Sequence, residues 1–390
     1  LKESLTKIPF SVTLKYTQLV QSLQNEGKDI VRLTAGEPDF NTPDQVKKAA
    51  VQALNDNFTK YTSAAGIREL REAVADMLGR QYNLDYKGTQ IVVTNGGKQA
   101  LYEALYAVTD EEDEVLVFTP DWVSYIPQIK MCKAVPVVVP ALAENGFEPY
   151  EEDIREKITE KTRAVIVNSP NNPTGAVYSE DTLRGILKVA MENDLWIISD
   201  EIYANLVYDG AHRSIGSLDP TYKKVITING FSKSHAMTGW RCGYCAAPIE
   251  VSKEIVKMQS HLSSNVNSIT QMAALEALAV NTDYMRERFR ERREIVTNGL
   301  QEIGIPFFFP KGAFYCFIDF SWLNEGGGAE TGKVYKDDDE LAMELIKEYG
   351  LALIPGSAFH APWFMRLSYA SSEKELEKAL AILKRFKDEN

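Results

Sequence analysis

The segment Gly230-Phe231-Ser232-Lys233-Ser234-His235-Ala236-Met237-Thr238-Gly239-Trp240-Arg241 sets a lysine beside a serine hydroxyl, with an arginine a short way downstream. A hydrophobic run, Val225-Ile-Thr-Ile-Asn229, precedes it. A lysine at the end of a buried strand costs free energy unless it has a task. An amine that can lose its proton can form a Schiff base with a carbonyl. A serine and an arginine beside it suit a phosphate better than a bare carboxylate. A cofactor carrying both an aldehyde and a phosphate would use all three groups, and pyridoxal phosphate is such a molecule. A strand ending in a polar turn, with Lys233 and Arg241 on the surface, would use none of them. The window alone does not choose.

Four other stretches carry groups of the same kind. Asn95-Gly96-Gly97-Lys98-Gln99-Ala100 joins a strand to a helix. Its glycines leave amides open at a helix N-terminus, which favours an anion, or they form a plain tight turn. Ser169-Pro-Asn-Asn-Pro-Thr-Gly175 is a rigid loop that could aim the Asn172 amide at a ring hydroxyl, or be only a turn. Asp200-Glu201-Ile-Tyr203 follows a buried strand. Its carboxylate could pair with a protonated ring nitrogen and Tyr203 could donate to a ring oxygen; equally, Asp200 could cap a helix. Arg366, inside Phe364-Met-Arg-Leu-Ser-Tyr369, wants a planar anion. A substrate α-carboxylate would serve, as would an internal Asp or Glu.

The elements between these stretches are short β-branched runs alternating with amphipathic helical patterns. The runs are Gln90–Thr94, Glu114–Phe118, Val135–Val139, Ala164–Asn168, Leu195–Ser199 and Val225–Asn229. Their near-continuous apolar character predicts strands covered on both faces. Helical spacing marks Lys98–Val108, Ser179–Asn193 and Glu250–Ser263. The alternation predicts an α/β fold with a mostly parallel sheet, and ligands of such sheets bind beyond the carboxyl ends of the strands. Thr94-Asn-Gly-Gly97, Asn168–Asn172, Ser199-Asp-Glu201 and Asn229–Lys233 are polar strand ends of that kind.

After Asn281 the pattern changes to a long charged helix (Asp283–Ile303), strands at Pro306–Pro310 and Tyr315–Phe320, a helix at Asp337–Tyr349, a strand at Met365–Ser368 and a last helix from Glu373. The expected organisation is an N-terminal arm with part of the small domain over 1–44, a large cofactor-binding domain over 45–282 and a smaller α+β domain over 283–390. Glu325-Gly-Gly-Gly-Ala-Glu-Thr-Gly-Lys333 reads as a surface connection and lacks the frame of a phosphate-binding loop.

The chain has 390 residues, 44% apolar and 25% charged, with a formal charge of −12. That composition reads as soluble and globular, and the charge argues against nucleic acid and anionic membranes as partners. No apolar run is long enough to span a bilayer, and Leu1–Leu5 forms no signal-peptide core. Cys132, Cys242, Cys245 and Cys316 are too scattered for a disulfide framework, so a cytoplasmic, reducing compartment is expected. Cys242-Gly-Tyr-Cys245 lies in a strand-like run, where residues three apart face opposite ways, so it is read as packing rather than metal or redox chemistry. His212, His235, His261 and His360 have no metal spacing.

In their order these pieces resemble the class I aminotransferases, pyridoxal-phosphate enzymes of fold type I, and most of all the bacterial aspartate aminotransferase subgroup. The resemblance runs from about Ile8 to the final helix. It rests on Ala35–Phe40, Tyr61 with Gly66–Arg71, Asn95–Ala100, Pro120–Tyr125, Asn171–Gly175, Asp200–Tyr203, Ser232-Lys233 to Trp240-Arg241, Gly312–Tyr315 and Arg366–Tyr369. It implies a Schiff-base lysine at Lys233 that also shuttles protons, a ring-nitrogen partner at Asp200, and ring-oxygen donors at Tyr203 and Asn172. Ser232, Arg241 and the amides of Gly96, Gly97 and Lys98 would hold the phosphate, and Trp122 would stack on the ring. Tyr61 would reach the phosphate of a second subunit, which implies a homodimer with shared sites.

Arg366, with Gly36 and Asn172, would hold the substrate α-carboxylate. Lys98, Ser11 and Thr13 would lie near a distal carboxylate, and that favours aspartate with 2-oxoglutarate. Prephenate stays open as an acceptor. Other readings keep the cofactor (an aromatic or alanine aminotransferase, a carbon–sulfur lyase) or change the class. A nicotinamide oxidoreductase would need a glycine fingerprint that is absent, and a regulator's effector module would need a DNA-binding segment, which is not attached.

Overall fold

The computed structural model describes residues 6, 8–10, 12–323 and 334–390. Ser11 and the Gly-rich stretch Glu325–Lys333 lie outside the described residues.

A two-residue strand, β1 (Val31–Arg32), comes first. The main sheet then uses β2 (Ile91–Thr94), β3 (Glu114–Thr119), β4 (Val135–Pro140), β5 (Thr162–Asn168), β6 (Trp196–Asp200), β7 (Val225–Gly230) and β8 (Gly243–Ala246). Their order is β2-β8-β7-β6-β5-β3-β4. β3, β4, β5, β6 and β7 pair in parallel, and β8 runs antiparallel to both neighbours. Every strand but β8 therefore ends on the same edge. Thr94, Thr119, Asn168, Asp200 and Gly230 share that edge, which is why the polar strand ends meet.

Helices cover both faces. Val92, Ile166, Ile198 and Ile228 pack with the helix Gly97–Val108 on one side. Val165, Val167 and Ile197 pack with the helix Glu180–Glu192 on another part of the sheet. Burying each such Val or Ile side chain is worth about 1.5–3 kcal/mol. Cys242 joins one apolar cluster and Cys245 another, and all four cysteines are free and buried. Cys245 lies in β8 and Cys242 directly before it, so the packing reading holds while the strand starts one residue later than expected.

A second, four-stranded sheet has the order β12-β13-β10-β9, from β9 (Phe307–Phe308), β10 (Tyr315–Asp319), β12 (Ile354–Pro355) and β13 (Phe364–Ser368). β9 is shorter than the expected Pro306–Pro310, since only two of its residues pair with β10. β1 pairs in parallel with β11 (Leu351–Ala352) and ties the N-terminal part of the chain to this unit. The helices Val12–Asn25, Asp283–Ile303, Asp338–Lys347 and Glu373–Glu389 bury an aromatic-rich core with it, including Tyr16, Phe289, Phe314, Phe317 and Phe386.

The segment Gly36–Thr42 is stapled between the two layers. Arg292 holds Asp39 with two bonds of 2.6 and 2.9 Å. Thr238 donates to Glu37 at 2.8 Å, and Trp240 Nε1 donates to Thr42 at 3.0 Å. This brings Gly36 over the end of β7.

Candidate active site

A cavity of about 450 Å³ opens where the strand ends, the Gly36 segment and β13 converge. Thr13, Gly36, Gly97, Lys98, Trp122, Asn172, Asp200, Tyr203, Ser232, Lys233, Arg241 and Arg366 all line it. Those twelve were named from sequence, and they come from many separate places in the chain. The volume suits a small cofactor with a small substrate.

Lys233 sits in a short helical turn, Phe231–Ser234, directly after β7. It is half-buried, and its amine donates to the Gly36 carbonyl. Loss of water lowers its pKa to about 8. Glu37 and Asp200 act against that shift, while Arg241 and Arg366 add to it. About a tenth of the amine is thus neutral at pH 7, far more than for an ordinary lysine, and the neutral form is the nucleophile.

Asp200 closes β6 and is buried. It does not cap a helix. Tyr125 donates to its Oδ2 at 2.8 Å and the Ile202 amide to its Oδ1 at 3.2 Å. Burial raises its pKa to about 6, against the pull of those two bonds. Asn168 fixes the strand end by donating to the Asp200 carbonyl at 3.0 Å.

Arg366 is 2% exposed. Its Nη1 donates to Asn172 Oδ1 at 2.8 Å and its Nη2 to the Thr34 carbonyl at 3.0 Å, while Nε is buried without a partner. Among the described residues no carboxylate pairs with it, so the internal salt bridge weighed from sequence is not there. Burial lowers its pKa, yet a guanidinium stays charged. Because arginine only donates, Asn172 must turn its oxygen to Arg366, and its amide hydrogens remain for another acceptor.

The turn after β2 presents donors to the cavity, but the Gly96 amide expected at a phosphate donates to the Thr94 carbonyl at 2.7 Å instead. Gly96 has φ of +84°, and a Cβ there would lie 2.7 Å from Arg241 Nη2. Arg241 is held by the carbonyls of Thr238 (2.8 Å) and Asn95 (3.3 Å) and by no carboxylate among the described residues. Gln99 Oε1 accepts from the Asn95 amide and side chain at 3.2 and 2.8 Å, which fixes the turn. The helix beginning at Gly97 leaves its first amides without intrahelical acceptors. Arg241, Ser232 and these amides form a cradle that a phosphate would complete.

Lys98 Nζ lies 4.8 Å from the Trp122 ring centre, and partial desolvation, with Arg241, lowers its pKa. Trp122 meets Tyr125 edge-on at 5.4 Å. Tyr203 is buried, with its hydroxyl 2.8 Å from that of Tyr315.

Tyr61 is not in the cavity of its own chain; it is 88% exposed. His235 is buried away from the cavity, its Nδ1 2.7 Å from Ser234 Oγ, and burial lowers its pKa to about 4. Tyr125, Tyr315, Arg32, Glu37 and Thr238 line the cavity and had no role in the sequence reading. Tyr125 and Tyr315 stood inside the motifs Pro120–Tyr125 and Gly312–Tyr315, and that position was the available signal. Among the described residues no His/Cys/Asp/Glu group could hold a metal, and no helix is long and apolar enough to cross a membrane.

Comparison with known proteins agrees with this chemistry. The family described as "Aminotransferase class I and II" matches residues 28–383. A Thermotoga maritima protein named aspartate aminotransferase is 42% identical over 382 residues, 98% of each chain. A Thermus thermophilus protein named aspartate/prephenate aminotransferase is 42% identical over 376 residues, 95% of this chain and 94% of that one. The structure of a Thermus thermophilus aspartate aminotransferase with maleate superposes with a TM-score of 0.93, at 41% identity over 99% of both chains.

Proposed function

Because the chain belongs to the class I and II aminotransferases, we propose that it transfers the amino group of L-aspartate to 2-oxoglutarate, giving oxaloacetate and L-glutamate, with pyridoxal 5'-phosphate as cofactor. The observation that carries this reading is the Lys233 amine in one cavity with a buried arginine that lacks a carboxylate, Arg366, and a further cation, Lys98. A dicarboxylic amino acid needs two cationic anchors and a base between them. The relative solved with maleate, itself a dicarboxylate, supports that substrate class.

Bound pyridoxal phosphate supplies an aldehyde for the substrate amine and a ring that accepts the electrons of the broken Cα–H bond. Ser232, Arg241 and the amides of Gly97 and Lys98 hold the phosphate, while the Gly96 amide is taken by the Thr94 carbonyl. Asp200 keeps the ring nitrogen protonated, and a carboxylate titrating at about 6 is mostly ionised at neutral pH. Asn172 and Tyr203 donate to the ring oxygen, and Trp122 covers a ring face. Arg366, Asn172 and the Gly36 segment orient the substrate α-carboxylate by bidentate pairing. Lys98 and Thr13 meet the distal carboxylate. Lys233 Nζ takes the proton from the substrate Cα. Tyr61, exposed on its own subunit, reaches the phosphate in a second copy, so the working unit is a homodimer. The compartment is the cytoplasm, in keeping with four free cysteines.

The test is direct. Purified protein should be yellow, and borohydride should fix the chromophore onto Lys233. Lys233→Ala protein with full transaminase activity would overturn the reading. A panel of amino donors against 2-oxoglutarate, with prephenate as an extra acceptor, tests the substrate; relatives named for prephenate make that acceptor the second reading.

A further inference from the structure

His360 and Asp121 lie 239 positions apart in sequence, on opposite layers of the molecule. Asp121 follows β3 in the main sheet. His360 ends the 3-10 turn Gly356–Phe359 beyond β12 of the smaller sheet. His360 Nδ1 stands 2.5 Å from Asp121 Oδ1, and the Asp121 amide donates to the Phe359 carbonyl at 3.2 Å. Two contacts join the same two short segments, one through side chains and one through backbone. Asp121 is 1% exposed, and its Oδ2 has no partner. His360 is therefore the one side chain bonded to this buried carboxylate among the described residues.

Neither residue lines the cavity, but the segment that Asp121 begins does. Trp122 is the next residue. The Tyr125 amide donates to the Trp122 carbonyl at 3.0 Å, closing a turn, and the Tyr125 hydroxyl then reaches Asp200 Oδ2. On the reading that this cavity holds pyridoxal phosphate, we propose that Asp121 and His360 form a clasp that positions Trp122 and Tyr125 against the cofactor. They are positioning residues and touch no reacting atom. A buried carboxylate deprived of its partner is costly, so the segment must shift or let water in when the clasp is lost. Lys130, on the helix Tyr125–Met131, is the other charged group acting on His360, and it opposes the imidazolium.

The backbone chooses the variants. His360 has φ of +59°, a left-handed conformation that glycine and asparagine tolerate best. His360→Gly removes the clasp without strain. His360→Asn returns a donor at the δ position of the same backbone. Each apoprotein is titrated with pyridoxal phosphate near neutral pH, and its thermal unfolding is followed in parallel. His360→Gly is expected to bind about tenfold or more weakly, and His360→Asn to recover most of that loss.

The pH dependence of binding gives a further readout. With Tyr125 displaced, Asp200 is expected to protonate at higher pH in His360→Gly than in the parent. Parent-like affinity and pH dependence in His360→Gly would overturn the proposal. So would an asparagine variant that binds no better than the glycine one at equal thermal stability.

A second measurement does not depend on the cofactor. The chain has four histidines, so the His360 imidazole can be followed by NMR in the apoprotein. Its pKa, raised by Asp121, should fall towards the ordinary histidine value in Asp121→Asn. An unchanged titration would overturn the pairing. A parent apoprotein that takes up no pyridoxal phosphate would refute the cofactor reading, and the imidazole titration would still decide the clasp.

Discussion

Tyr125 donates its hydroxyl to Asp200 Oδ2 across 2.8 Å, and both side chains are buried. The bond partly offsets the burial that lifts the Asp200 pKa to about 6. The proton on Tyr125 is secure, because burial first, and the Asp200 charge second, raise its own pKa well above the ordinary phenol value.

Tyr125→Phe removes that donor and leaves the carboxylate less solvated. The Asp200 pKa should then rise further, leaving less of the ionised form near neutral pH. A hydrogen bond to a charged group is worth about 1.5–3 kcal/mol. Pyridoxal phosphate affinity should therefore fall by about tenfold or more, with the loss growing as pH drops. Absorbance titration of the apoprotein at several pH values measures it.

Lys233 sets a second pH dependence. Its folded pKa, about 8, lies below the ordinary lysine value of 10.5. The folded state thus binds fewer protons than the unfolded chain between those values, and this group's contribution to stability rises with pH across that window. Well below 8 the amine is charged in both states and the burial cost is fully present. Apoprotein carrying Lys233→Met should be more stable than the parent below pH 8, with the gap closing towards 10.5. Denaturant unfolding over that range reads it.

Gly96→Ala should damage the phosphate cradle. The added methyl would stand 2.7 Å from Arg241 Nη2, and φ of +84° adds backbone strain. Arg241 must move off the Thr238 and Asn95 carbonyls or the turn must open. The expected result is a loss of cofactor affinity of about tenfold or more, with a smaller drop in thermal stability. Equilibrium dialysis against pyridoxal phosphate is the measurement.

Arg366 and Lys98 should separate by substrate. Arg366→Lys keeps the charge but loses the planar fork, so KM should rise for every amino donor, by about a hundredfold. Lys98→Ala should raise KM for aspartate and 2-oxoglutarate and spare donors without a second carboxylate. Steady-state kinetics with aspartate and alanine side by side decide it. An equal effect on both donors would end the distal-carboxylate assignment.

Much of the main sheet was legible before any coordinates. The six apolar runs became β2 to β7 nearly at their expected ends, and covered strands must be apolar throughout. However, β4 lies at the sheet edge and is only half-buried, so its run was not covered on both faces. The long helix Asp283–Ile303 matched its amphipathic pattern at both ends. The two-residue strands β1, β11 and β12 carry no periodicity to read, and they exist only because their partners lie alongside.

Residue types and local spacing by themselves determined that a lysine, an aspartate, an asparagine and two arginines stood at chemically useful places, and that Gly96 sat where an anion could be held. They could not determine which of those groups would be left without internal partners. Sequence left a carboxylate open as the partner of Arg366; the fold surrounds it with Asn172 and Thr34 instead. Tyr125 and Asp200 are 75 positions apart, and Asp121 and His360 are 239 apart. Such pairs depend on the order of strands in the sheet and on the packing of the second layer over its edge. Local sequence encodes which face of a strand is buried; the long-range placement of one strand beside another decides which polar groups meet there.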